Sequence, residues 1–141
     1  MIRLGRVAGA LPAAFEELRA EAQAEGYGML DTLAMQWESG ANRFDRPGEA
    51  LLAAYVDDVL AGIGGLTIEA SLPGAFRMRR FYIRRQFRRT GIGRQLARAV
   101  FEHRGKRPVT CNAASGSEAF WQALGFMPDP RDGCTHTHIL R

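Results

Sequence analysis

The sequence predicts an α/β (α+β) fold on a mixed β-sheet, and three observations carry that expectation. Strand-like and helix-like stretches alternate in the order β-α-α-β-β-β-α-β-α-β. A loop rich in arginine and glycine separates one of those strands from a helix, Arg88-Arg89-Thr90-Gly91-Ile92-Gly93-Arg94. The chain has 141 residues and no compositional break, so residues 1–141 read as a single domain with one core.

Ile2, Leu4 and Val7 mark a short first strand. Pro12 follows where a helix can start, because its missing N–H is not needed in a first turn. Phe15, Leu18 and Ala22 then recur at helical spacing, and Gly26 can end that helix. Met29 to Trp37 form a second amphipathic helix, with Leu30, Leu33, Ala34 and Trp37 on one face. Ser39-Gly40 and Arg46-Pro47-Gly48 are loop signals. Leu51–Val56 and Leu60–Ile68 are β-rich runs, and Asp57-Asp58 between them reads as a hairpin turn. After the turn Leu72-Pro73-Gly74, Phe76–Arg84 alternates as a strand. Gln86–Gly91 is a loop and Ile92–His103 a helix, with Leu96, Ala99 and Val100 toward the core. Gly105 to Pro108 ends that helix, and Val109–Asn112 is a short strand. Ser117–Leu124 is the last helix, closed by Gly125, and Thr135–Leu140 the last strand.

The charge is unevenly distributed. Residues 77–107 hold eleven arginines and Lys106 against the single acid Glu102, a net +11. Residues 1–76 carry five arginines and eleven acids, a net −6. A concentrated cationic segment fits a polyanion: nucleic acid, a membrane surface or a phosphorylated small molecule. It also fits a solvated face in an arginine-rich composition. No apolar run approaches the roughly 20 residues of a membrane span. Met1-Ile2-Arg3-Leu4 has no signal-peptide core, and two cysteines make no disulfide framework. The expectation is a soluble, cytoplasmic protein with no membrane partner.

The arginine–glycine loop carries the chemistry. A loop entering a helix N-terminus exposes unpaired N–H groups at the positive end of the helix dipole, which suits phosphate. Gly91 and Gly93 let a pyrophosphate approach the backbone, and Arg88, Arg89 and Arg94 add full charge. This is not a dinucleotide fingerprint, since Leu96 stands where the third glycine would be, and no Walker loop occurs.

Arg88-Arg89-Thr90-Gly91-Ile92-Gly93 resembles motif A of the GNAT superfamily of N-acetyltransferases: Arg or Gln, two residues, Gly, one residue, Gly or Ala. Arg79-Arg80-Phe81-Tyr82-Ile83 looks like the family's fourth strand. The run Ala119-Phe120-Trp121-Gln122-Ala123-Leu124-Gly125-Phe126 is similar to motif B, and Asn112 sits where many members have an asparagine after strand five. The resemblance covers about residues 76 to 126. It implies the GNAT fold, a mixed central sheet with splayed strands four and five and helices on both faces. It implies acetyl-CoA as cosubstrate and no metal. The pyrophosphate would meet the backbone from Arg89 through Thr90, Gly91, Ile92 and Gly93 to Arg94, with Arg88 beside it. The pantetheine arm would pair with Phe81, Tyr82 and Ile83 in the gap between the splayed strands, near Asn112.

The implied activity is transfer of an acetyl group to an amine of a small molecule or protein, by direct attack on the thioester. A catalytically weak acyl-CoA-binding regulatory module is the alternative, kept open by two departures from the family pattern. The motif B tyrosine, the usual acid for the leaving thiolate, is replaced by Trp121, whose indole N–H cannot deliver a proton. Trp121 either covers the thioester or fills space beside Phe120 and Phe126. Tyr82 is the nearest alternative acid by sequence. The early glutamate of strand four is replaced by Arg77, which leaves Glu69, Asp31 and Glu38 as candidate bases.

Arg77 and Arg79 share a strand face and could recognise an acidic acceptor. Trp37, Arg43 and Phe44 lie where the family places acceptor-binding residues. Cys134, His136 and His138 recur at every second position, but no fourth ligand accompanies them, so no metal site is expected. His103 suits the C-terminal end of its helix. The expected partners are acetyl-CoA and an unidentified amine acceptor, with no nucleic acid. A homodimer would follow the family by analogy.

Overall fold

A computed structural model describes residues 1–139. One seven-stranded sheet has the order β1-β2-β3-β4-β5-β7-β6. Its strands are β1 (Ile2–Arg6), β2 (Ala50–Val56), β3 (Val59–Ile68), β4 (Phe76–Ile83), β5 (Val109–Cys111), β6 (Met127–Pro128) and β7 (His136–His138). The helices are α1 (Phe15–Ala24), α2 (Met29–Ser39), α3 (Ile92–Phe101) and α4 (Glu118–Ala123). All paired strands are antiparallel except β4 and β5. The mixed sheet expected from the sequence is therefore present. The two-residue strand β6 has no sequence signal of its own, and Leu140 of the expected last strand lies outside the described residues.

The β2–β3 hairpin closes through Asp57 and Asp58, with φ of 47° and 66°. Positive φ at both central residues is the mirror-image turn whose twist matches paired strands, and aspartate tolerates it better than most side chains.

Helices cover both faces. Leu18, Ala22, Leu30, Leu33 and Trp37 of α1 and α2 pack with Leu51, Ala53, Leu60 and Ile63 on one face. Ile92, Leu96, Ala97 and Val100 of α3 pack with Leu52, Ala54, Leu66, Phe76 and Met78 on the other, joined by Trp121 of α4 and by Phe126. β2 alternates between these two cores, so it is buried on both sides and reads as a continuous apolar run.

β4 is where the alternation breaks. Gly65 faces Arg79 and Ile63 faces Tyr82, so Arg80 and Phe81 together oppose the single residue Gly64. Arg80 takes up the extra residue with φ of 56°. A β-bulge of this kind shifts the facing of every later side chain by one. Phe76 and Met78 before it, and Phe81 and Ile83 after it, all contact the α3 core, while Tyr82 enters the α1–α2 core. Gly64 makes room for this, since a Cβ there would lie 2.6 Å from the Phe81 ring.

Gly65 has the matching task on the opposite face. A Cβ would come within 2.6 Å of the Phe44 ring and 2.9 Å of the Ala50 carbonyl oxygen. The second contact is backbone and cannot rotate away. Gly65→Ala should therefore destabilise the fold by about 1–3 kcal/mol through overpacking. A lower urea midpoint with an unchanged slope would register this, and an unchanged midpoint would refute the packing account.

Candidate active site

β4 and β5 pair only through Phe76–Val109 and Arg77–Thr110. β5 then ends at Cys111, so among the described residues the edge of β4 from Met78 onward has no strand beside it on that side. A cleft of about 780 Å³ opens there. Its walls come from β4, the arginine–glycine loop, the segment after β5, α4, and Tyr27 and Met29 at the start of α2.

The loop wall ends at the N-terminus of α3. Gly91 has φ of 87° and Arg89 has φ of 63°, two left-handed residues on either side of Thr90. Gly91 is the residue for which that conformation costs least. The first helical bond runs from Gln95 N–H to Gly91 O, and among the described residues no side chain caps the helix. The amides of Ile92, Gly93 and Arg94 thus precede the first bonded turn. α1, α2 and α4 each carry an acid in the first turn, but α3 carries none. Its positive dipole end is left uncompensated. Gly93 serves packing as well: a Cβ there would lie 3.3 Å from the Phe120 ring.

The loop side chains divide. Arg89 and Arg94 are exposed, line the cleft and form no ion pair among the described residues. Arg88 is committed elsewhere. Its Nε donates to the Ile83 carbonyl (2.9 Å), and its two terminal nitrogens hold the Glu25 carboxylate at 2.9 and 2.5 Å. Tyr82 O–H donates to the same carboxylate. The Arg88 guanidinium therefore braces the loop against the end of α1 and the end of β4. Arg88 holds the Glu25 carboxyl below its usual range, against the effect of burial and with help from Tyr82. Burial first, and then Glu25, push the Tyr82 hydroxyl up, so its proton stays in place at neutral pH. Thr90 turns its hydroxyl to Phe87 O (2.6 Å), and the Ile92 side chain is core, so neither side chain lines the cleft.

Trp121 borders the cleft but is only 5% exposed. Its ring packs against Phe81, Phe120 and Phe126 at centroid distances of 5.1, 5.0 and 5.3 Å. Phe81 and Asn112 also line the cleft. So does Cys111, whose thiol is pushed up to about 12, chiefly by burial.

On the α2 side of β4, Arg77, Arg79 and Arg80 line the same cleft. Arg80 bonds Gln36 Oε1 at 3.1 Å. Glu69 does not line it. Glu69 is buried, accepting from Thr110 Oγ1 (3.1 Å) and from Ser71 N–H (3.4 Å). Asp31 pairs with Arg19 at 2.6 Å, and Glu38 is exposed. Among the described residues no carboxylate lines the cleft.

The expected acceptor residues of the α2 end are likewise elsewhere. Trp37 and Phe44 belong to the core under α1 and α2, with Phe44 stacked on Gly65. Arg43 caps α2 by donating Nε to Trp37 O at 2.7 Å. His138 bonds the buried Arg104 at 2.6 Å, and His136 lies beside Thr135 and Gln122. Tyr27, Met29, Ser115 and Ser117 line the cleft without having been singled out in the sequence. Tyr27 lies just after the Gly26 helix end, with no motif around it, so nothing in the sequence marks it.

The model of the acetyltransferase (GNAT) domain matches residues 18–139. A comparison with curated proteins returns no match. Among solved structures, a protein of Exiguobacterium sp. 255-15 provisionally named an acetyltransferase superposes with a TM-score of 0.88 at 20% identity, over 99% of this chain and 93% of that one. The GNAT-family acetyltransferase of Staphylococcus aureus Mu50 has a TM-score of 0.70 at 12% identity, covering 100% of both chains. The Bacillus subtilis N-acetyltransferase YlbP, solved in complex with coenzyme A, has a TM-score of 0.70 at 19% identity over 99% of this chain and 97% of that one. These likenesses are of fold, and the family model, spanning the parted strands, the arginine–glycine loop and α4, establishes that the chain belongs to the GNAT acetyltransferases.

Proposed function

We propose that the protein is an acetyl-CoA-dependent N-acetyltransferase that moves the acetyl group to an amine by direct attack on the thioester. The observation that carries this reading is the uncapped, acid-free N-terminus of α3 opening onto the unpaired edge of β4. The CoA complex of the B. subtilis relative accords with it. The amides from Arg89 to Arg94 take the pyrophosphate, with Arg89 and Arg94 supplying charge. The pantetheine arm runs along β4 from Ile83 toward Phe81 as an added strand. Trp121 and Phe81 form an apolar wall near the thioester.

The attacking nitrogen bonds to the acetyl carbon, the C–S bond breaks, and CoA leaves as a thiolate. Cys111 is the one thiol in the described lining, and burial pushes its thiol up, which disfavours the nucleophilic thiolate. That favours direct transfer over a covalent relay. With no carboxylate lining the cleft among the described residues, the amine loses its proton to water. Glu69, the expected base, lies behind Thr110, and Tyr82, the expected acid for the thiolate, donates its hydrogen bond to Glu25. The same lack of a carboxylate favours the second reading, a binding module with little turnover.

A thiol-release assay with acetyl-CoA and an amine panel decides between them. Release with at least one amine supports the transferase, and acetyl-CoA binding with no release on any amine establishes the module. If the amine loses its proton to water, the pH profile of kcat/KM should follow the acceptor's own pKa. Two acceptors of different basicity should then give profiles displaced in parallel, and a shared inflection would reveal an enzymic base. Replacing both Arg89 and Arg94 by alanine should raise the KM for acetyl-CoA about tenfold or more at low salt. Glu25→Gln removes the charge-assisted brace on Arg88 and should raise that KM about three- to tenfold while the fold persists. An unchanged KM would show that the loop holds its shape without Glu25.

A further inference from the structure

The buried side-chain nitrogen and oxygen atoms without a hydrogen-bond partner among the described residues are Thr67 Oγ1, Arg79 Nε and Arg80 Nε. All three sit in one patch. Thr67, Arg77 and Thr110 form a row in register across β3, β4 and β5, so their side chains share the α2 face. The bulge places Arg80 beside Gln36 of α2, on the same face. Buried polar atoms are nearly always bonded, so three orphans in one patch call for a physical account.

The arginines there differ from the half-buried Arg19 and Arg84 and from the more exposed Arg88, which have carboxylate partners. Arg84 pairs with Glu21, Arg19 with Asp31 and Arg88 with Glu25. Arg77, Arg79 and Arg80 form no ion pair among the described residues. Glu49 and Glu69 are near enough to favour the charged state of Arg79 but make no contact with it. Their oxygens are occupied by Arg46 N–H and Ile68 N–H, and by Thr110 and Ser71. Burial, and then repulsion from Arg79 and Arg77, depresses Arg80 to about 10, so it remains cationic at neutral pH. Three guanidiniums against two carboxylates leave one uncompensated positive charge.

With CoA bound as proposed, that charge lies at the acyl end of the cleft. β4 runs from its junction with β5 at Phe76 and Arg77 toward the loop that faces the pyrophosphate. Arg77 and Arg79 are thus at the opposite end from Arg89 and Arg94.

We infer that Arg77, Arg79 and Arg80 form a carboxylate-binding site for the acceptor, so that the preferred acceptor is an amine that carries a carboxylate. The inference rests on the transferase reading for its link to turnover, but the site itself is defined by binding. A guanidinium fork matches a carboxylate, and Thr67 Oγ1 can donate to the same oxygens. The carboxylate would hold the amine in the part of the cleft where the thioester lies.

The test compares matched ligands: glutamate, aspartate and glycylglycine against their C-terminal amides and the amines lacking the carboxyl group. Calorimetry on the protein saturated with CoA reads binding, and thiol release with acetyl-CoA reads turnover. The carboxylates should bind, and turn over, about tenfold or more better than the amides. Arg79→Gln should narrow that ratio about tenfold and leave the affinity for CoA unchanged. Arg77→Gln, at the strand junction, serves as the second variant should Arg79→Gln fail to fold, with thermal melting as the control. Equal binding of acids and amides, or a preference that survives both substitutions, overturns the proposal. Ethanolamine phosphate bound more tightly than every carboxylate overturns the assignment of the anion. Carboxylate-selective binding without thiol release would retain the site and refute the transferase reading instead.

Discussion

One extra residue in β4 determines what each wall of the cleft is made of. Without the bulge at Arg80 and Phe81, strict alternation would send Arg80 and Tyr82 into the α3 core and turn Phe81 and Ile83 toward α2. Two polar side chains would then be buried among Leu96, Val100 and Phe126. With it, Phe81 joins the Trp121 and Phe120 cluster, while Arg77, Arg79 and Arg80 line up on the opposite face. The cost is a non-glycine residue in the left-handed region, on the order of 1–2 kcal/mol. Packing of Phe81 and Ile83 in the α3 core, and of Tyr82 in the other, outweighs it.

The second constraint is the brace between Glu25, Arg88 and Tyr82. It ties three separate pieces of chain to one carboxylate: the end of α1, the end of β4 and the start of the loop. A loop with left-handed residues at Arg89 and Gly91 would otherwise have many shapes. Fixing Arg88 to the Ile83 carbonyl sets where the loop begins, and the packing of Gly93 against Phe120 sets where it ends. The amides between are held in position before any anion arrives, and pre-organisation of this kind spares the entropy of ordering them.

Much of this was legible in the sequence because local signals are strong where the chain turns. The element order, the Asp57-Asp58 hairpin and the loop with Gly91 and Gly93 all follow from spacing and from residues with special backbone freedom. The bulge was not legible, since a run such as Arg77-Met78-Arg79-Arg80-Phe81 gives no hint of which residue is extra. Once the register shifts, the face of every later side chain changes, so Tyr82 is found against Glu25. Trp37, Arg43 and Phe44 illustrate the other limit. Aromatic side chains are recognition groups when exposed, yet Trp37 and Phe44 fill the core, Phe44 against Gly65, while the exposed Arg43 donates to the end of α2. Arg88 is similar: its motif position is visible, but a partner 63 residues away in sequence decides where its charge points.

The cationic segment, uniform in the sequence, separates in three dimensions into arginines with partners and arginines without. Arg84, Arg88 and Arg104 are bonded within the fold, and Arg107 lies over the Phe76 ring at 5.1 Å. Those charges help hold the sheet, the loop and the helices together, and Arg88 also lines the cleft. The other arginines along the cleft form two groups: Arg89 and Arg94 on the loop, and Arg77, Arg79 and Arg80 on β4, of which Arg80 also bonds Gln36. They stand at opposite ends of one strand, with the aromatic wall of Phe81, Phe120 and Trp121 between. On the proposed reading, two substrates each anchored by an anion at its own end of the cleft need little side-chain recognition at the reacting centre. Position is then supplied by charge at a distance, and the reacting centre needs only the apolar wall beside it.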